Sequence, residues 1–178
     1  MATFVAFLRA VNVGQRWVKM AHLREHLGSS GFTDVETHIQ SGNVRVTTTL
    51  RSAATVEARL REVISEEFGF DVPVVVRTPA QLRRTAEQAE QASSPLGPDA
   101  RRYVTFTTGG LSAAGRSALE AWDEDGERVV VLDPDVLLLL TKPAHQAKLT
   151  NARLERLTGA TGTARDLKVV RALAEKWG

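Results

Sequence analysis

The chain has 178 residues, 23 Lys and Arg against 21 Asp and Glu, with 43% hydrophobic and 25% charged residues. A chain of this length and balance buries about 70% of its unfolded surface as one or two domains without covalent staples. It contains no Cys, which excludes disulfides, Cys-based zinc sites and thiol nucleophiles.

Taken in order, residues 3–11 alternate as a strand, Met20–Gly28 as a helix, and residues 34–40 and 43–48 as two strands separated by Ser41-Gly42. Residues 52–68 read as a long helix, because Val56, Leu60, Val63, Ile64 and Phe68 recur at three- and four-residue steps between charged positions. A Val-rich strand over 73–78 completes β-α-β-β-α-β, the split-βαβ or ferredoxin-like unit. A helix over 79–91 precedes Ser-Ser-Pro-Leu-Gly-Pro-Asp at 93–99, a composition that marks a loop or boundary.

The expected organisation is therefore an α+β protein with a ferredoxin-like unit over residues 1–92, a linker over 93–101, and a smaller α+β unit over 102–178. Within the last, residues 102–108 read as a strand and 112–122 as a helix. Residues 127–132 and 136–141 form a hairpin around Asp133-Pro134-Asp135, and two helices follow at 145–157 and 164–177, giving β-α-β-β-α-α. Thr163 followed by Asp166 fits a capping box at the start of the last helix.

The longest apolar stretch, residues 129–140, is broken by Asp-Pro-Asp and is shorter than the ~20 residues of a membrane span. The opening MATFVAFLRAVNVG lacks the layout of a secretory signal. The expectation is a cytoplasmic protein without membrane association. Net charge is uneven: +1 over residues 1–78, −3 over 79–144 and +4 over 145–178. The basic tail faces either an anionic partner or solvent alone.

Split-βαβ connectivity sorts strand ends onto two edges. The loop after the first strand, the turn between strands two and three, and the approach to strand four then share one edge. That edge gathers Arg9, Asn12, Gly14, Gln15, Arg16 and Lys19 with Gln40, Ser41, Gly42 and Asn43, beside a helix start. Backbone N–H groups with nearby cations suit an anion. The alternative is that Ser41-Gly42 is a plain hairpin turn and that Asn12 and Asn43 fasten loop backbone. Neither GxxxxGK[ST] nor GxGxxG occurs.

Catalytic patterns are scarce. His22 and His26 lie four apart in HLREH, not HExxH, and no third ligand follows nearby, so a surface pair without metal is expected. GxSxG is missing. Asp71 and His38 are the guesses for a proton-transfer group, Asp71 because connectivity puts it on the loop edge.

LRAVNVG at 8–14, KMAHLREHLGSSGFTDVETHIQSGNV at 19–44, FGFDVPVVVRT at 68–78 and KLTNARLERLTGATGTARDLKVV at 148–170 resemble a bacterial family catalogued as domain of unknown function 1697. Ala10 stands where that family commonly has Gly, and Asp166-Leu167 where it has Asn-Trp. The resemblance implies an α+β architecture with a ferredoxin-like part and names no activity. Residue by residue it points to Arg9, Asn12, Gly14, Gln40, Ser41, Gly42 and Asn43, and to Lys148, Thr150, Asn151 and Arg165. Lys148, Asn151 and Glu155 would share one side of the penultimate helix, either as a second wall of the site or as an exposed surface.

Two functions follow as expectations. The first is a binding module for a nucleotide-like anionic small molecule at the loop edge, using Arg9, Asn12, Gly14, Lys19, Gln40, Ser41, Gly42, Asn43, Lys148, Asn151 and Arg165, with no metal and no cofactor. RNA is a weaker form of the same idea, since the strands offer few stacking aromatics and no RNP motif. The second is a metal-independent enzyme acting on a charged small substrate. Oligomeric state is not encoded in any readable pattern.

Overall fold

The computed structural model describes residues 1–178. Met1–Leu82 with Lys176–Gly178 form one compact unit and Arg83–Glu175 a second, each a mixed α+β arrangement around an antiparallel sheet. No helix is long and apolar enough to cross a membrane.

The first unit runs β1 (Ala2–Leu8), α1 (Met20–Ser29), β2 (Thr33–His38), β3 (Asn43–Thr48), α2 (Ala53–Phe68) and β4 (Val74–Arg77). Its strands lie in the order β2-β3-β1-β4, every neighbour antiparallel. The period of two puts Phe4, Ala6 and Leu8 on one face, and register lines them up with Val46, Val44 and Val74. That face packs on Leu23 and Leu27 of α1 and on Val56, Leu60, Val63 and Ile64 of α2. Gly69 ends α2 in the left-handed conformation, φ 73°, and its N–H returns to the Ser65 carbonyl. The indole N–H of Trp177 donates to Glu36 Oε2 of β2 at 3.2 Å.

Helix α3 (Pro79–Gln91) leads to a segment without strand or helix over 92–100. The second unit then contains β5 (Arg101–Thr107), α4 (Ala113–Glu120), a two-residue β6 (Asp123–Glu124), β7 (Glu127–Val131), β8 (Val136–Leu140), a 3-10 turn at Ala144–Gln146, α5 (Asn151–Thr158), β9 (Gly162–Asp166) and α6 (Leu167–Trp177). The sheet order is β6-β7-β8-β5-β9. Setting aside β6, the second, third, first and fourth strands follow one another as in the first unit.

This corrects the expected β-α-β-β-α-α ending. Residues 162–166 form a strand, not the first turn of the last helix, because they pair with β5 from Thr107↔Gly162 to Tyr103↔Asp166. The capping box falls with it: Thr163 is buried in the strand, and Asp166 Oδ1 itself caps α6 by accepting from Lys168 N at 2.8 Å. The penultimate helix also starts later than expected. Thr150 is its N-cap, accepting from Arg153 N at 3.2 Å, so Lys148 precedes the helix and shares no helical face with Asn151 and Glu155.

Candidate functional site

Asn12 organises the loop edge of the first unit. Its φ of 57° is a left-handed conformation that Asn tolerates better than most residues, and its N–H donates to the Arg16 carbonyl at 2.7 Å across the Val13–Arg16 bridge. The side-chain amide reaches outward. Oδ1 accepts from Val18 N at 2.8 Å, while Nδ2 donates to the Val18 carbonyl at 3.1 Å and to the Gln40 carbonyl at 2.7 Å. The loop after β1 is thus stitched to the β2–β3 turn, as connectivity requires.

The other segments close on the same edge. Leu8 N donates to Gly42 O at 2.8 Å and Arg9 N to Pro73 O at 2.9 Å. Asn43, fully buried, donates through Nδ2 to His38 O at 3.1 Å and Ser41 Oγ at 3.0 Å. Gly42 has φ 75°, and a Cβ there would meet Val11 Cγ2 at 2.6 Å and Leu8 Cβ at 2.8 Å. Asn12 and Asn43 therefore act as fasteners of loop backbone, and Gly42 is where two segments approach too closely for a side chain.

Beside this clasp lies an open cavity of about 580 Å³ lined by Arg9, Ala10, Arg16, Phe70, Asp71 and Pro73. The Arg16 guanidinium carbon sits 4.8 Å from the centre of the Phe70 ring, and Nη2 donates to the Asp71 carbonyl. Its Nε is buried without a hydrogen-bond partner. The Asp71 carboxylate is gripped by Arg61 from outside the lining, Nε to Oδ1 at 2.6 Å and Nη2 to Oδ2 at 2.7 Å. Those hydrogen bonds, with the Arg61 and Arg16 charges behind them, hold its pKa below the ordinary carboxylate range. Both Asp71 carboxylate oxygens are thus engaged by Arg61, and the group is held toward its ionised form.

A family model described as "Protein of unknown function (DUF1697)" matches residues 1–136. The chain belongs to the DUF1697 family. The match spans every segment of the loop edge. A solved structure, that of the conserved bacterial protein SP0830 from Streptococcus pneumoniae, is similar to this chain with a TM-score of 0.74 at 20% identity, over 99% of this chain and 98% of that one. At that identity the likeness concerns the fold. No curated protein matches.

In this DUF1697 protein the remaining edge residues are exposed or half-buried. Gly14 (φ 61°) and Gln15 turn the Val13–Arg16 hairpin, Lys19 precedes α1 as an N-cap whose side chain makes no cap bond, and Gln40 and Ser41 form the β2–β3 turn. Three large apolar side chains on the same loops escaped the sequence reading: Val13 is 65% exposed, Trp17 70% and Ile39 50%. Ile39 has φ 50°, a conformation a β-branched side chain enters only under strain. The available signal was Trp17 between Arg16 and Lys19, which period-based reading passes over as loop. Arg61 and Phe70, taken as helix surface and strand approach, complete the cavity's electrostatics.

Lys148, Asn151 and Arg165 belong to the second unit. Lys148 Nζ pairs with Glu124 Oε2 at 2.6 Å, and that partner raises its pKa. Arg165 is buried in β9, donating from Nη1 to Thr163 Oγ1 and Ala164 O at 2.9 Å; burial pushes its pKa down to about 10. Asn151 opens α5. In the first unit, His22 and His26 both face Glu67, at 2.7 Å and 3.2 Å, a carboxylate from α2 that lies 41 residues beyond His26 in sequence. His38 packs edge-on against the Trp177 ring, 6.2 Å between centres.

Proposed function

We propose that this DUF1697 protein is a cytoplasmic binding module that takes a nucleotide-like anionic small molecule at the loop edge of its first unit. The observation that carries the reading is Arg16: a buried N–H donor, oriented by Phe70 and the Asp71 carbonyl, lines a cavity and has no partner within the protein. Buried donors without partners are uncommon, and each one in a native protein calls for a ligand, water or ion. The charge balance points the same way. Arg61 neutralises the Asp71 carboxylate, so the Arg16 guanidinium brings a positive charge to the lining. Arg is the side chain best suited to forked recognition of phosphate. The exposed indole of Trp17 supplies a flat apolar face for a base on the same loop.

The same reading takes both units as ferredoxin-like split βαβ sandwiches, the strand order β2-β3-β1-β4 and its counterpart in the second sheet supporting it. It takes residues 93–101 as the linker between folding units 1–92 and 102–178. Binding, not proton transfer, is the function favoured, because the acid in the lining is held ionised.

Isothermal titration with inorganic phosphate and AMP tests it. AMP is expected to bind more tightly than phosphate, and Arg16→Ala to weaken both by about ten- to a hundredfold, the range for a hydrogen bond to a charged group. Absence of heat from either at low salt would discard the reading. Binding of a mixed RNA oligonucleotide with a steep salt dependence, and none of AMP, would replace it with the RNA alternative.

A further inference from the structure

The second unit contains a chamber of different chemical character. A cavity of about 250 Å³ is lined by residues of β5, β8 and β9 and by the segment Ala144–Asn151. Its floor is apolar: Leu138, Leu140 and Leu149 belong to the unit's core cluster, and Tyr103 packs against it. Four hydrogen-bonding side chains complete the wall: Thr150, whose hydroxyl caps α5, and Tyr103, His145 and Asn151, whose side chains make no hydrogen bond or ion pair within the protein. No Lys, Arg, Asp or Glu lines it; Lys148, which lies between lining residues Ala147 and Leu149, is turned to Glu124.

The segment over the chamber is a strap tied at its base by one buried carboxylate. Glu127 accepts from Lys148 N at 2.5 Å and Leu149 N at 3.1 Å and pairs with Lys142 Nζ at 2.7 Å, so a single fully buried side chain holds both ends. Between the ties, the backbone of Pro143–Ala147 is held by two short-range bonds, Gln146 N to Pro143 O and Ala147 N to Ala144 O.

We propose that this chamber binds a small uncharged molecule with a ring-sized apolar body and one hydrogen-bonding end. Size sets the body, since an open cavity of about 250 Å³ has room for one ring laid against its Leu floor. The polar end matches the lining, where the side chains of Tyr103, His145 and Asn151 offer donors and acceptors at the rim of an otherwise apolar wall. The neutrality follows from the lining, which offers no Lys, Arg, Asp or Glu to repay the part of its water that a charge laid on the Leu floor would lose. This site is independent of the anion site in the first unit.

Phenol is the probe and benzoate its charged counterpart, both titrated into the full-length protein with methyl NMR signals as readout. Phenol is expected to shift the Leu138, Leu140 and Leu149 methyls saturably, with a dissociation constant of about 1 mM for so small a ligand, and benzoate to bind at least about tenfold more weakly. Ala164→Phe, placed on an exposed position of the lining, is expected to abolish the shifts while leaving the thermal midpoint and the phosphate titration unchanged. If that variant does not fold, intermolecular NOEs from phenol ring protons to the Leu138 and Leu149 methyls in the unaltered protein decide the matter. No saturable shift up to about 20 mM phenol, equal binding of benzoate, or NOEs elsewhere on the surface each overturns the proposal.

Discussion

The Asn12 side chain donates to the Gln40 carbonyl at 2.7 Å across 28 residues of chain, and the same amide holds both backbone groups of Val18. One primary amide therefore closes the loop after β1, the entry to α1 and the β2–β3 turn into a single edge. Asn12→Ala removes these bonds and places Ala at φ 57°, so a loss of about 2–3 kcal/mol is expected in urea unfolding. Asn12→Gly, which keeps the backbone conformation at ease, should lose less. Equal losses in the two variants would mean that the lost amide bonds, and not backbone strain, carry the whole effect.

Gly42 and Gly14 share a positive φ and differ in surroundings. A Cβ at Gly42 meets Val11 Cγ2 at 2.6 Å and Leu8 Cβ at 2.8 Å, whereas one at Gly14 meets nothing within 4 Å. Gly14→Ala is expected to cost about 1 kcal/mol from backbone strain alone, and Gly42→Ala at least about 2 kcal/mol more from overpacking. Thermal unfolding of the pair measures the difference; similar midpoints would show that the clasp is looser than these contacts imply.

Ile39 is strained and half-exposed, so it contributes little to stability where it stands. Ile39→Asn is expected to raise stability by about 0.5–1 kcal/mol, since Asn accepts the left-handed conformation more readily. Trp17→Ser, at a 70% exposed position, should change stability by less than about 0.5 kcal/mol while reducing AMP affinity relative to phosphate. A large destabilisation by Trp17→Ser would make the indole a packing residue and remove it from the proposed site.

Glu127 carries a pH dependence of defined sign. Burial on its own raises its pKa, but hydrogen bonds from Lys142 and from the backbone of Lys148 and Leu149 outweigh it, and the folded carboxyl titrates below its ordinary value. A group more acidic in the folded state stabilises above the unfolded pKa of about 4.3, and that contribution is lost as pH falls through the lower folded value. Glu127→Gln is expected to cost about 3 kcal/mol at pH 7, as for a broken buried ion pair, and progressively less below about pH 4. Denaturant curves at the two pH values check this; a cost that stays constant on acidification would place the stabilisation elsewhere.

Arg61→Ala tests the neutralisation of Asp71. With its forked partner gone, the Asp71 carboxylate repels an anion in the cavity and its pKa rises toward the ordinary value. Phosphate affinity is expected to fall by a few-fold although Arg61 does not line the cavity, and a further Asp71→Asn change should restore it. No rescue by the second substitution would indicate that Arg61 acts by some route other than charge.

Much of the first unit was legible because its information is local. The spacing of Val56, Leu60, Val63 and Ile64 encodes a helix face, the alternation of Phe4, Ala6 and Leu8 encodes a strand face, and chain connectivity then dictates that the Asn12 loop and the Ser41-Gly42 turn share an edge. What those periods cannot carry is the identity of a distant partner. Residues 162–166 have no apolar alternation and become a strand through pairing with β5, which leaves the α6 cap to Asp166. Asn12 and Asn43, read as polar lining or as fasteners, are engaged by backbone groups whose positions depend on the closed fold. The unpartnered Nε of Arg16, the grip of Arg61 on Asp71 and the tie of Glu127 to Lys142, Lys148 and Leu149 are likewise decided by tertiary packing. Composition and period therefore determined elements, faces and the shared edge, while three-dimensional proximity alone decided which polar groups were satisfied within the protein and which were not.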